Sequence, residues 1–258
     1  MQMRAIDAAE LNVRSRVSPE EWAVRVDLAA CYRIVAHFGW DDLIFTHISA
    51  RVPGGHDFLI NPYGLMFEEV TASNLVRVDL HGAKTLESPY EINPAGYTIH
   101  SAIHEAREDA GCVLHLHTMA GVAVSCQKAG LLPISQQASI VLQSYASHDY
   151  EGIALNPDEK VRLQQHLGEA RNLLLPNHGL LTVGRTVPDA FLSMYTFQRA
   201  CEIQVLAQGA GAQLVHIPQA VLDTVPAFSK AVMKGAGSGL AWPALLRKMD
   251  RLDPGFRA

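Results

Sequence analysis

His115 and His117 stand two residues apart in Gly111-Cys112-Val113-Leu114-His115-Leu116-His117-Thr118. Val113-Leu114 is apolar and β-prone, so the run reads as a buried strand ending in histidines. Side chains at i and i+2 of a strand point to one face, so both imidazoles can grip a single metal ion. A third histidine, His178, falls in Pro176-Asn177-His178-Gly179. Leu173-Leu174-Leu175 before it and Leu180-Leu181-Thr182-Val183 after it read as strands, which makes the segment between them a tight turn. Three imidazoles with an open position describe catalytic zinc sites, and the same donors hold Mn²⁺ or Fe²⁺. The competing reading is three separate core histidines with satisfied hydrogen bonds. A strand doublet combined with a turn histidine favours the metal.

Other residues could take part in chemistry. His148-Asp149-Tyr150 follows a strand-like run; it reads either as a turn with Asp149 capping backbone groups or as a histidine polarised by a carboxylate. Gln136 and Gln137 follow the Leu132-Pro133-Ile134-Ser135 turn and suit the end of a sheet as well as a ligand. Glu202 falls mid-helix, where an exposed or ion-paired role is expected.

Composition sets the frame. The chain has 258 residues, 48% hydrophobic and 18% charged, enough for one large α/β domain over 1–258. Its net charge is −5 with no basic tract, so nucleic acid and anionic membranes are not expected partners. Twelve histidines hint at metal or proton chemistry. Cys31, Cys112, Cys126 and Cys201 lie far apart without a CxxC and read as reduced thiols. The first residues lack an apolar signal region, and there is no long apolar run, so a cytoplasmic enzyme is the expectation.

The elements that must position these residues follow from pattern. Residues 1–17 read as a mobile arm. Ser18-Pro19-Glu20-Glu21 is a helix start, with a helix to about Phe38 stopped by Gly39. Strands are predicted at 44–52, 57–60 and 75–79, around turns at Pro53-Gly54-Gly55-His56 and Asn61-Pro62-Tyr63-Gly64. A helix is predicted from Tyr97 to Ala106 and another from Met119 to Ala129. A strand is predicted from Ile140 to Ser147. A further helix spans Asp158–Leu167, capped by the Asn156-Pro157 turn. A long helix runs from Thr186 to about Gln208. Residues 213–258 form a tail, with a strand at 213–217 and a short helix near Trp242 to Met249.

His115-X-His117, Asn177-His178-Gly179 and the Val187-Pro188-Asp189-Ala190-Phe191 helix together resemble the class II aldolase/adducin family. Leu132-Pro133-Ile134-Ser135, His148-Asp149-Tyr150-Glu151-Gly152-Ile153 and Ala200-Cys201-Glu202-Ile203-Gln204-Val205 are especially similar to the adducin head branch. The resemblance implies a three-layer α/β/α sandwich with a mainly antiparallel central sheet. It also implies a homotetramer with sites between subunits, a small-molecule substrate and one divalent metal per subunit, usually zinc.

Departures from the family pattern shape the functional expectation. The family's aldolases carry a Glu about nineteen residues before the first metal histidine; here that position is Gly96. The serines that precede it in the family, which bind substrate phosphate, are Pro94 and Ala95. The Asn of the family's Gly-Asn-X-Ser segment corresponds to His47, expected either in the pocket or in a structural hydrogen bond. A Thr-Gly pair has become Tyr63-Gly64, with Tyr63 as a pocket wall. The family's tail covers a neighbouring site, so Arg247, beside Trp242 and Lys248, is a candidate cation for a carboxylate substrate, against the plainer reading of a surface arginine. With the carboxylate base gone, decarboxylation or retro-aldol cleavage of a non-phosphorylated hydroxy or keto acid is expected, with an adducin-like binding module as the alternative.

Overall fold

A computed structural model describes residues 13–152, 158–227 and 236–258. Helix α1 (Pro19–His37) begins as its sequence directs: the Ser18 side chain accepts from Glu21 N–H, and Pro19 sits in the first turn. Gly39 ends it at φ +65°. The strands are β1 (His47–Arg51), β2 (Phe58–Ile60), β3 (Val76–Val78), β4 (Cys112–Leu116), β5 (Tyr145–Ser147), β6 (Asn172–Leu175) and β7 (Gly179–Gly184). They form one sheet in the order β3-β2-β1-β4-β7-β6-β5. Among the described residues only the β5–β6 edge pair is parallel; the remaining pairs are antiparallel.

Helices cover both faces, as the sandwich requires. The other helices are α2 (Pro94–Ala106), α3 (Met119–Ser125), α4 (Gln136–Val141), α5 (Glu159–Leu167), α6 (Val187–Gly209), the single turn α7 (Gln219–Leu222) and α8 (Trp242–Leu252). The alternation of β4 divides the core. Cys112, Leu114 and Leu116 pack into the larger cluster with residues of α1, α3, α4, α6 and α8. Val113 faces the other way, into a cluster with Ile99 and Ile103 of α2 and Leu163 and Leu167 of α5. A third cluster joins Phe58 and Ile60 to Val76 and Val78.

Several expectations need correction. Residues 140–147 do not form one strand. Ser135 caps α4 by accepting from Ala138 N–H, so Ile140 and Val141 are helical and only Tyr145–Ser147 pairs in the sheet. Capping and packing of Ala138 and Val141 outweigh the β preference of the apolar run. No strand forms at 213–217, where Ile217 N–H reaches only the Pro133 carbonyl. The first strand starts at His47 rather than Ile44, and α3 stops at Ser125 rather than Ala129. The arm ends in a 3-10 turn at Val13–Ser15 whose Val13 is buried, while residues 1–12 lie outside the described region. The Asn156-Pro157 turn also lies outside it, and the described helix opens at Glu159. The C-terminal tail carries its helix at Trp242–Leu252, and Trp242, Met249 and Phe256 belong to the main core. All four cysteines are free thiols, and no described helix is long and apolar enough to cross a membrane.

Candidate metal centre

The sheet sets the site. His47 of β1 and His115 of β4 are direct antiparallel partners, and both face the α2 layer. His117 follows two residues later on the same side. The turn between β6 and β7 brings His178 in from the next strand pair. Asn177 adopts φ +59° there, a conformation asparagine tolerates. Gly179 is required by close approach, since a Cβ on it would stand 2.5 Å from the Leu116 carbonyl oxygen.

His115, His117 and His178 form a group able to hold a metal ion. His115 Nε2 lies 3.0 Å from His117 Nε2 and 3.2 Å from His178 Nε2. Tetrahedral ligands at zinc distances would stand roughly 3.3 Å apart, so the spacing suits one small cation. The other nitrogens fix the rings. His115 Nδ1–H donates to the Leu180 carbonyl at 3.0 Å. His117 Nδ1–H donates to Asp42 Oδ2 at 3.0 Å, the carboxylate–histidine pairing that orients metal ligands. Each of these rings therefore presents an Nε2 lone pair. Burial, followed by the neighbouring imidazoles, pushes His115 well below the ordinary histidine value and His178 down to about 4. Neutral imidazoles are what a cation needs.

His47 borders this group, its ring centroid 5.2 Å from that of His115. Its ring also occupies the space beside Gly96. A Cβ at that position would lie 2.5 Å from His47 Cδ2 and 2.9 Å from Nε2. Gly96 itself opens α2, where Asn93 Oδ1 accepts from Ala95 N–H at 3.0 Å and from Gly96 N–H at 3.4 Å. Pro94 has no N–H, so the amides at this helix start are already engaged.

The class II aldolase and adducin N-terminal domain model matches residues 26–205. The chain belongs to the class II aldolase/adducin family. A solved aldolase II superfamily protein from Pseudomonas syringae is 49% identical, with TM-score 0.91 over 95% of this chain and 99% of that one. An L-fuculose 1-phosphate aldolase from Glaciozyma antarctica is 26% identical, with TM-score 0.82 over 100% of this chain and 97% of that one. Alpha-adducin of Rattus norvegicus is 42% identical over 92% of this chain, which spans 34% of the adducin's own length.

Within this aldolase/adducin chain the remaining candidates scatter. Tyr63 is 42% exposed. Arg247 is exposed on α8, whose core contacts run to the α1 and α6 layer, across the sheet from the histidines. His148 is buried at the end of β5, with Nδ1 2.8 Å from His166 Nδ1. The carboxylates near its Nε2 belong to Glu159 at 3.7 Å and Glu151 at 4.0 Å rather than to Asp149. The Tyr150 ring stands edge-on to His178, with centroids 6.2 Å apart. Gln136 and Gln137 form the first turn of α4, and Glu202 pairs with Arg199 at 2.7 Å.

Sequence reasoning missed Asp42, His100, His104 and Ser49. Asp42 is 75 residues from His117, so no local spacing could announce it. His100 and His104 were findable: they are four residues apart on α2 and share a face. Ser49 is two residues from His47 on β1 and shares its face.

Proposed function

We propose that the chain is a divalent-metal-dependent lyase that cleaves a C–C bond of a small, non-phosphorylated hydroxy or keto acid. The observation that carries this reading is the convergence of three imidazole Nε2 atoms, bordered by His47, whose ring meets a glycine that bears no carboxylate. His115, His117 and His178 would hold the ion. Zinc is the proposed metal, with manganese or iron suited to the same donors. When bound, the ion supplies Lewis-acid stabilisation of the negative charge that builds on substrate oxygen as the bond breaks.

Retro-aldol cleavage needs a base for the hydroxyl proton, whereas decarboxylation releases CO₂ without one in that step. Asp42 is engaged with His117, and position 96 is glycine, so decarboxylation is the favoured half of the proposal. His47, bordering the ion group, is the proposed acid–base residue for any proton step, with His148 beyond His178 as a second. Pro94 and the capped amides of Ala95 and Gly96 give a phosphate no donor at the α2 start. Tyr63 would wall the pocket and Gly96 would floor it. We place the active form as a homotetramer in the cytoplasm. Arg247 would then serve a neighbouring subunit's site, since it lies across the sheet from its own histidines.

Metal analysis of the purified protein, followed by a screen of hydroxy and keto acids for CO₂ and carbonyl products, tests the reading. One divalent ion per chain and turnover lost on chelation are expected. Efficient cleavage of L-fuculose 1-phosphate would overturn it.

The similarity to alpha-adducin favours a second reading, a binding module that keeps the histidines without catalysis. Full metal occupancy with no turnover across the screen would support that module instead.

A further inference from the structure

Behind His47 runs an unbroken line of buried hydrogen bonds. His47 Nδ1 lies 2.8 Å from His100 Nε2. His100 Nδ1 meets Ser49 Oγ. Ser49 Oγ lies 2.7 Å from His104 Nε2, and His104 Nδ1 lies 3.0 Å from the Ala110 carbonyl oxygen. Ser49, His100 and His104 are all at most 2% exposed. Arg51 pins the far end by donating to the carbonyls of His104 and Arg107.

The last member sets the direction of every proton. A carbonyl oxygen only accepts, so His104 must carry its hydrogen on Nδ1. Burial disfavours charge along the line, and a neutral imidazole carries one N–H: His104 is pushed down to about 3 and His100 well below its ordinary value. His104 Nε2 is then a bare lone pair, and the Ser49 hydroxyl donates to it. Ser49 Oγ in turn accepts from His100 Nδ1–H. His100 Nε2 is bare and accepts from His47 Nδ1–H. His47 Nε2 is left unprotonated, with no hydrogen-bond partner among the described residues.

We propose that His104, Ser49 and His100 are positioning residues that lock His47 as its Nδ1–H tautomer and present its Nε2 lone pair to a substrate hydroxyl. The line ends on a carbonyl that cannot take up a proton, so it orients and does not conduct. A fixed acceptor at this place attracts a hydroxyl and repels phosphate oxygens, which deepens the proposed preference for a non-phosphorylated hydroxy acid. That substrate class rests on the proposed lyase site; the tautomer does not.

Neutron diffraction from crystals of the whole protein exchanged into D₂O tests the lock directly. Deuterium is expected on Nδ1 of His47, His100 and His104 and on Ser49 Oγ, with none on His47 Nε2. Deuterium on His47 Nε2 of the unmodified protein would overturn the proposal without any variant. In Ser49→Ala, His100 loses its acceptor and is free to protonate Nε2, so deuterium should appear on His47 Nε2. An unaltered His47 in that variant would also overturn it. Ser101→Ala removes a nearby buried hydroxyl that donates to the Thr98 carbonyl and has no bond to the line behind His47, and it should leave His47 unchanged. The readout needs no turnover, so an inactive protein with the expected deuterium pattern would fault the lyase reading alone.

Discussion

The imidazole of His47 stands where a side chain on residue 96 would have to go, 2.5 Å from the place of its Cβ. The two departures from the family pattern therefore meet in one volume. Glycine at 96 leaves the room, and histidine at 47 fills it. Gly96→Ala should lower stability by about 1–3 kcal/mol, the usual cost of forcing atoms into a packed site. Adding His47→Ala should recover part of that loss. Urea unfolding of both singles and the double measures the coupling, and strictly additive losses would count against it.

His117→Ala should release most of the bound metal while the fold persists. Asp42→Ala leaves all three donors but frees the His117 ring, so affinity should fall by about 10–100-fold. Calorimetric titration with zinc, alongside circular dichroism of the metal-free forms, separates lost binding from lost structure. Undiminished affinity in Asp42→Ala would remove the carboxylate's orienting role.

Acid should destabilise the fold through the buried histidines. His47 and His104 are held at about 3 in the folded chain against an ordinary 6.5. Below 6.5 the unfolded chain takes up protons that the folded chain refuses. Their contribution is thus complete above that value and falls as the pH drops toward 3, by about 1.4 kcal/mol per unit for each histidine. Urea midpoints measured from about pH 7 down to about pH 4 should show the decline. His104→Gln, which cannot titrate, should have a shallower slope. A flat profile in the unmodified protein would contradict the assignment.

Glu21→Ala should be among the costly substitutions outside the site. Arg25 is fully buried and is bonded to Glu21 at 2.9 Å and to the carbonyls of Ala72 and Leu75. Removing the acid strands a buried cation, a loss of about 3–5 kcal/mol. Replacing both residues by leucine should cost less than the single change. Thermal unfolding of the two variants decides the order.

The sequence made the cluster of three histidines legible because two of them obey strand periodicity and the third sits in a turn with a strong apolar frame. It made α1 and α6 legible because both open on a capping hydroxyl followed by proline. The segment 140–147 misled because its apolar run suits a strand, whereas the deciding signal, Ser135, lies upstream of it. The hydrogen-bonded line behind His47 combines two periodicities, i+2 on β1 and i+4 on α2, and only the packing of helix on strand joins them. Asp42 had no pattern to reveal it, because its place follows from a loop's path.

The crowding between positions 47 and 96 also constrains the order in which the two can be exchanged. Two single-step paths connect a chain with asparagine at 47 and glutamate at 96 to the present histidine and glycine. A path that installs histidine first must hold an imidazole and a glutamate Cβ closer than van der Waals contact. The other path passes only through a vacated volume, which a marginally stable fold tolerates better than collision. Residue 96 is therefore the permissive member of the pair: the imidazole at 47 has its room only while 96 carries no side chain, and a carboxylate can be placed at 96 only once His47 has given way.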